Sequence, residues 1–275
     1  MSYSAAHGSK ISTADQRRVR INLHAVSAGS GPAVILLHGL FGAGNNLGSL
    51  SRALRDEHTV WSLDLPNHGR SDWVCDTSLA AMANAVQQWM HSEAVARTAL
   101  VGHSLGGKVA MQLALSYPAL VSVLVVADIA PVLYPSHHDN VFAGLDAVAT
   151  SACESRSAAA GVLAEHVRED MVVQFLLTNL RRSGAGTYQW RFNLEGLKQN
   201  YEAMRAAPSA TAPFNGPVLF IKGEESDYIK PAYRGDILAL FPQATITQMN
   251  GCGHWLHAQR PAEFNRIVSQ FLAAN

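Results

Sequence analysis

The apolar residues of this chain fall into two textures. Toward both ends they gather in short runs: Ala33-Val-Ile-Leu-Leu37, Thr59-Val-Trp-Ser-Leu63, Ala99-Leu-Val101, Val121 to Ala127, Val218-Leu-Phe-Ile221 and the weaker Thr245-Ile-Thr-Gln-Met249. Such runs predict strands buried on both faces of a parallel sheet. Arg18 to Val26 alternates instead, with Val19, Ile21 and Leu23 on one side, and predicts a half-exposed edge strand. The stretch Ser27 to Pro32 predicts a turn. Between the runs, helices are predicted over Leu50–His58, Leu79–His91, from Lys108 to about Tyr117, over Pro231–Phe241 and over Pro261–Ala273. In the second of these, Met82, Val86, Trp89 and Met90 share one side.

From about Pro131 to Ala212 the strand runs stop. Helical patterns cover 141–150, 154–168, 169–182 and 194–206. Strands alternating with helices predict an α/β fold, a mostly parallel central sheet with helices on both faces. The core is assigned to 18–130 and 213–275, and a helical cap or lid inserted over one sheet edge to 131–212. Residues 1–17, rich in Ser and Ala, are assigned to a loose N-terminal tail.

Composition narrows the function classes. Of 275 residues, 48% are apolar and 15% charged, as in a globular protein. The 21 basic and 21 acidic residues balance, which gives no reason to expect nucleic acid or an anionic membrane as partner. The apolar runs are too short to span a bilayer. Met1 to Ala14 has no charged start followed by an apolar block, so no secretory signal is expected. Cys75, Cys153 and Cys252 are scattered, which predicts reduced thiols in the cytoplasm. His137-His138 has no carboxylate cluster around it, so no metal is expected, and no cofactor motif appears. The pattern assigns no oligomeric state.

Gly102-His103-Ser104-Leu105-Gly106 stands between a predicted strand and a predicted helix. This G-x-S-x-G setting carries a serine hydroxyl on a sharp turn, with a helix N-terminus beside it. His38-Gly39, Asp64, Ser104, Asp128 and His254 all follow predicted strands, so the sheet gathers them at one edge. In this pattern Ser104 is a candidate nucleophile. His254 is the candidate base that a serine hydroxyl needs, with His257 its nearest rival. His38 and His103 suit the floor of the site.

Beyond the elbow, the chain carries His38-Gly-Leu-Phe-Gly42, Asn67-His-Gly69, Gly102-His-Ser-Leu-Gly-Gly-Lys108, Asp128-Ile-Ala-Pro131, Gln174-Phe-Leu-Leu177, Trp190-Arg-Phe-Asn193 and Gly253-His-Trp255. On these residues it resembles the serine α/β-hydrolases over most of 18–273, and within them the YbfF-like esterases. The resemblance implies a carboxylesterase acting on short-acyl esters through a Ser104 acyl-enzyme, with a small-molecule ester as partner.

The third catalytic member is a carboxylate that orients the base. Many α/β-hydrolases carry it in a Gly-x-x-Asp loop after the penultimate strand. Here that loop reads Gly223-Glu-Glu-Ser226-Asp227, so Ser226 holds the usual place and Asp227 serves only with a one-residue shift. Asp128 ends an apolar strand, where a charge needs a partner, and the resembled family has Asp there. Asp128 is preferred, with Asp227 the alternative, Glu224 or Glu225 behind it, and Ser226 a supporting donor to Asp128. A turn-capping role is the plain alternative for Asp128.

An oxyanion needs two backbone N–H donors. Leu105 is expected to give one and Leu40 the other, with Phe41 possible. Phe41, His103, Trp190 and Trp255 are candidate walls of a substrate pocket. Asp64 is expected to anchor its turn, and Arg181-Arg182 to end a helix in solvent. Alternative readings are an acyl-CoA or carrier-protein thioesterase, a carbon–carbon bond hydrolase, and a slow-turnover receptor on the same fold.

Overall fold

Continuous apolar runs cannot face water, and a sheet covered on both sides gives them a place. A computed structural model of the chain describes residues 21–184 and 186–275. In chain order the elements are β1 (Ala25–Ala28), β2 (Ala33–Leu37), α1 (Gly48–Leu54), β3 (Thr59–Leu63), α2 (Leu79–Ser92), β4 (Thr98–His103), α3 (Leu105–Ser116) and β5 (Val121–Ala127). Next come α4 (Asp139–Thr150), α5 (Arg156–Ala164), α6 (Asp170–Leu177), β6 (Leu180–Arg182), β7 (Tyr188–Trp190), α7 (Leu194–Gln199) and α8 (Tyr201–Arg205). The chain closes with β8 (Val218–Gly223), α9 (Arg234–Leu240), β9 (Ala244–Met249), α10 (Leu256–Gln259) and α11 (Pro261–Ala273).

Seven strands form one sheet in the order β1-β3-β2-β4-β5-β8-β9. β1 pairs antiparallel with β3, and the other pairings are parallel. All six residues of β4 are buried, which is why that strand reads as an apolar run. One face packs Leu50 and Leu54 of α1 against Phe264 and Val268 of α11. On the other, Met82 and Val86 of α2 meet Val109 and Leu113 of α3, and this core continues into Phe142, Leu145 and Leu163 of the 139–205 helices. Among the described residues, no helix is long and apolar enough to cross a membrane.

Three expectations need correction. The helix predicted over 169–182 stops at Leu177, and Leu180–Arg182 pairs antiparallel with Tyr188–Trp190 as a small ribbon. Arg181 and Arg182 are therefore exposed strand residues, not a helix end. The helix over 194–206 breaks at Asn200 into α7 and α8. The edge strand is found at Ala25–Ala28, later than predicted, and takes in the first residues of the expected turn. Residues 1–17, and the first three residues of the predicted edge strand, lie outside the described residues.

Candidate active site

Four strands in a row are followed, within four residues, by a residue of left-handed backbone that is not glycine. Phe41 follows β2 with φ 61°, Asn67 follows β3 with φ 64°, Ser104 follows β4 with φ 53°, and Asp128 follows β5 with φ 52°. Side chains rarely adopt this region, and such strain gathers at functional sites. At Ser104 the turn is possible because strand and helix backbones nearly touch. A Cβ on Gly102 would stand 2.3 Å from Gly106 O, and one on Gly106 2.2 Å from Leu37 O. Ser104 is half-buried. Leu105 opens α3, a position whose N–H has no acceptor within the helix.

Asp128 is fully buried. Its Oδ1 accepts the Gly223 N–H at 3.0 Å. Its Oδ2 accepts the Ser226 hydroxyl and the Nδ1–H of His254, the latter at 2.8 Å. Three donors thus answer a charge that apolar surroundings would otherwise penalise. With Nδ1 donating, the free nitrogen of His254 is Nε2. The His254 ring stacks on Tyr228 with centroids 4.0 Å apart, and its main-chain carbonyl accepts Nε2–H of His103 at 2.9 Å. Burial and the neighbouring His257 and His254 hold His103 well below the usual histidine range, so it stays neutral. Burial likewise pushes His257 down to about 4.

Ser104 and His254 line one cavity of about 50 Å³ together with Phe41, Phe175, Leu176 and Trp255. Among the described residues no hydrogen bond joins the Ser104 hydroxyl to the His254 ring. Such bonds commonly tighten only when substrate is held. A second cavity of about 40 Å³ is lined by Lys108, Tyr134, His137, Tyr201 and Tyr228 among others. Ser104, Leu40 and His138 line both, so the serine stands where the two cavities meet.

Other expected residues lie elsewhere. Asp227 is 95% exposed and faces Lys230 at 3.9 Å, so it is not brought to His254. The Phe41 N–H, weighed as a donor to an oxyanion, is instead spent on Nε2 of His68 at 3.2 Å. Trp190 donates to Leu145 O at 2.9 Å and stacks on Phe192, and does not wall either cavity. Its aromatic pattern suited a pocket and a core equally, and packing decided. Asp64 accepts the Gly44 and Arg70 N–H groups at 2.6 and 2.9 Å, the turn-anchoring arrangement expected of it.

Sequence reasoning gave Lys108, His138, Tyr201 and Tyr228 no place in the site. His138 has Nδ1 2.5 Å from the Tyr201 hydroxyl, and burial pushes its ring down to about 3. Lys108 carried a legible signal: it is a cation in a helix whose residues from Leu105 to Leu115 are all buried. Its ammonium donates to Val132 O at 2.9 Å and to Arg205 O and Ala206 O at 2.6 Å each. It thereby ties α3 to the loop between β5 and α4 and to the C-terminal end of α8.

The family described as "Alpha/beta hydrolase family" matches residues 34–267. The mouse sn-1-specific diacylglycerol lipase ABHD11 is 40% identical over 250 residues, covering 88% of this chain and 81% of its own. Esterase YbfF of Escherichia coli is 36% identical over 240 residues, covering 87% of this chain and 92% of its own. A solved structure described as a marine microorganism esterase superposes with a TM-score of 0.88 at 34% identity, over 91% of this chain and 99% of the other. With that match over most of its length, and a parallel sheet bearing Ser104 at a strand–helix elbow, the chain belongs to the α/β hydrolase family.

Proposed function

We propose that this chain is a serine carboxylic ester hydrolase that cleaves short-acyl esters. Ser104 Oγ attacks the ester carbonyl carbon while His254 Nε2 takes its proton. The tetrahedral oxyanion sits on the Leu40 and Leu105 N–H groups. The imidazolium returns the proton to the departing alcohol, leaving an acyl group on Ser104. Water, deprotonated by the same nitrogen, then releases the acid. Asp128 holds His254 in the Nδ1–H tautomer and stabilises its charged form, and Ser226 holds Asp128.

The observation that carries this reading is the 2.8 Å contact of His254 Nδ1 with the buried Asp128, on a ring that shares its cavity with Ser104. Two cavities that meet at Ser104 give the acyl and alcohol parts of an ester separate places, and the resemblance to the YbfF-like esterases points to a short acyl chain. The relatives named for esterase and lipase activity support the same reaction class. Residues 131–212 act as the cap, since His138, Phe175 and Tyr201 from this segment wall the cavities. The free thiols of Cys75, Cys153 and Cys252 suit a reducing compartment, the cytoplasm.

The test is a fluorophosphonate followed by intact mass. One adduct, absent from Ser104→Ala, is expected, together with loss of nitrophenyl ester hydrolysis in that variant. An unlabelled protein, or a Ser104→Ala variant that keeps its rate, overturns the reading. A burst of nitrophenol followed by a negligible steady rate would favour the slow-turnover receptor.

A further inference from the structure

The 39–41 loop is held from more directions than a glycine turn requires. Its Gly39 carbonyl accepts from His38 Nδ1 at 2.8 Å and from the Gly42 N–H at 3.0 Å. The peptide is planar and trans, so fixing that carbonyl fixes the Leu40 N–H on its other side. His38 Nε2 in turn accepts the Leu65 N–H at 3.0 Å. One residue on, the Phe41 N–H goes to His68 Nε2 at 3.2 Å, and His68 Nδ1 donates to Pro66 O at 2.9 Å. Both rings are thereby locked neutral, each with Nδ1–H donating and Nε2 accepting.

The remaining group of Phe41 is its carbonyl. It accepts Nδ2–H of Asn179 at 2.7 Å, a buried residue 138 positions away, between α6 and β6. The Phe41 ring meets Phe142 and Phe192 from the same helical segment, with centroids 5.3 and 5.4 Å apart. Phe41 itself sits at φ 61°, a strained conformation for a residue with a side chain, which persists only when its surroundings enforce it.

We propose that Asn179 is a positioning residue: by holding the Phe41 carbonyl it keeps the strained loop shaped so that the Leu40 N–H points at the oxyanion. The helical segment is then a splint for the transition state as well as a cover over the cleft. The proposal rests on the acyl-enzyme reading above. Asn179 touches neither substrate nor the reacting atoms; it acts through Phe41.

The experiment compares wild type, Ser104→Ala and Asn179→Asp on nitrophenyl acetate. Binding of an alkyl boronic acid, which mimics the tetrahedral intermediate, is measured alongside. Asn179→Asp keeps the side chain's shape and removes the donor. Rates are expressed per folded molecule from circular dichroism. The expected result is a kcat about 10–100-fold lower, a KM within about twofold, and boronate binding weakened by the same factor as kcat/KM. A kcat within about twofold of wild type overturns the proposal. So does a raised KM at constant kcat, or a lower kcat with boronate affinity intact. If Asn179→Asp is unfolded at the assay temperature, Asn179→Ser is judged by the same criteria. A Ser104→Ala variant that keeps its rate sinks the acyl-enzyme reading, whereas a Ser104-dependent rate indifferent to Asn179 sinks the splint alone.

Discussion

Replacing Asp128 by Asn tests the polar chain behind Ser104 at its most buried point. The swap conserves volume. An amide oxygen in the place of Oδ1 still accepts the Gly223 N–H. Its NH2 group then stands where Oδ2 stood and meets two donors, the Ser226 hydroxyl and Nδ1–H of His254. The hydroxyl can rotate and accept. The imidazole can only move its proton to Nε2, which removes the lone pair that the Ser104 proton must reach. The same substitution in a serine-protease triad lowers kcat about ten-thousand-fold, equivalent to about 5.4 kcal/mol of barrier. A loss of that order is expected here in steady-state hydrolysis of nitrophenyl butyrate, with little change in KM and a melting temperature within a few degrees of wild type. Asp227→Asn is the control. With 95% exposure and only a 3.9 Å contact to Lys230, it should leave kcat within about twofold. An Asp128→Asn enzyme retaining more than a tenth of wild-type kcat, or a collapse in Asp227→Asn, refutes the reasoning.

Lys108→Met deprives three carbonyls of their donor in a buried place and should destabilise the fold by about 3 kcal/mol or more. Amide exchange should rise around 132–134 and 205–209, and unchanged protection there counts against the clamp. Burial holds the folded-state pKa of His68 near 3, of His138 near 3 and of His257 near 4, all below the unfolded value of about 6.5. Their contribution is complete above pH 6.5 and is lost as acid charges the unfolded chain first, at up to about 1.4 kcal/mol per pH unit for each ring. Urea midpoints should therefore fall steadily between pH 7 and pH 5, and a flat profile would contradict the burial of these rings. Phe175→Ala opens the cavity that Ser104 shares with Trp255 and should move the preferred nitrophenyl ester to longer acyl chains. An unmoved optimum would place the acyl group in the other cavity.

The parallel strands were plain in the sequence for a physical reason. Ala33–Leu37, Thr59–Leu63 and Val121–Ala127 match the predicted spans because burial on both faces makes each a largely apolar run, with only Thr59, Ser62 and Ser122 polar. The ribbon at 180–182 hid behind a coincidence of spacing. Val173, Leu176, Leu177 and Leu180 are all buried and repeat as one face of a helix would, though the helix ends before the last of them. The break falls at Thr178-Asn179, and Asn179 uses its side chain on a loop far away in sequence, which no local pattern announces. The same limit governs the site. Ser104, Asp128 and His254 each follow a strand, so topology alone gathers them. His138 and Tyr201 come from the segment between β5 and β8, which adds no strand to the main sheet, and only packing brings them to the cleft.

The sheet order has a consequence for building new enzymes on this scaffold. Strands β5 and β8 are hydrogen-bonded neighbours, although residues 128–217 separate them in the chain. A segment that departs and returns at adjoining places closes its own loop, so its length and make-up can change with small entropic cost to the rest. Grafting a foreign segment in place of residues 131–212 could retune which molecules enter while leaving Ser104, Asp128 and His254 in place. The graft would have to bring two fittings of its own: carbonyl oxygens to receive the Lys108 ammonium, and one amide to hold the peptide after residue 41.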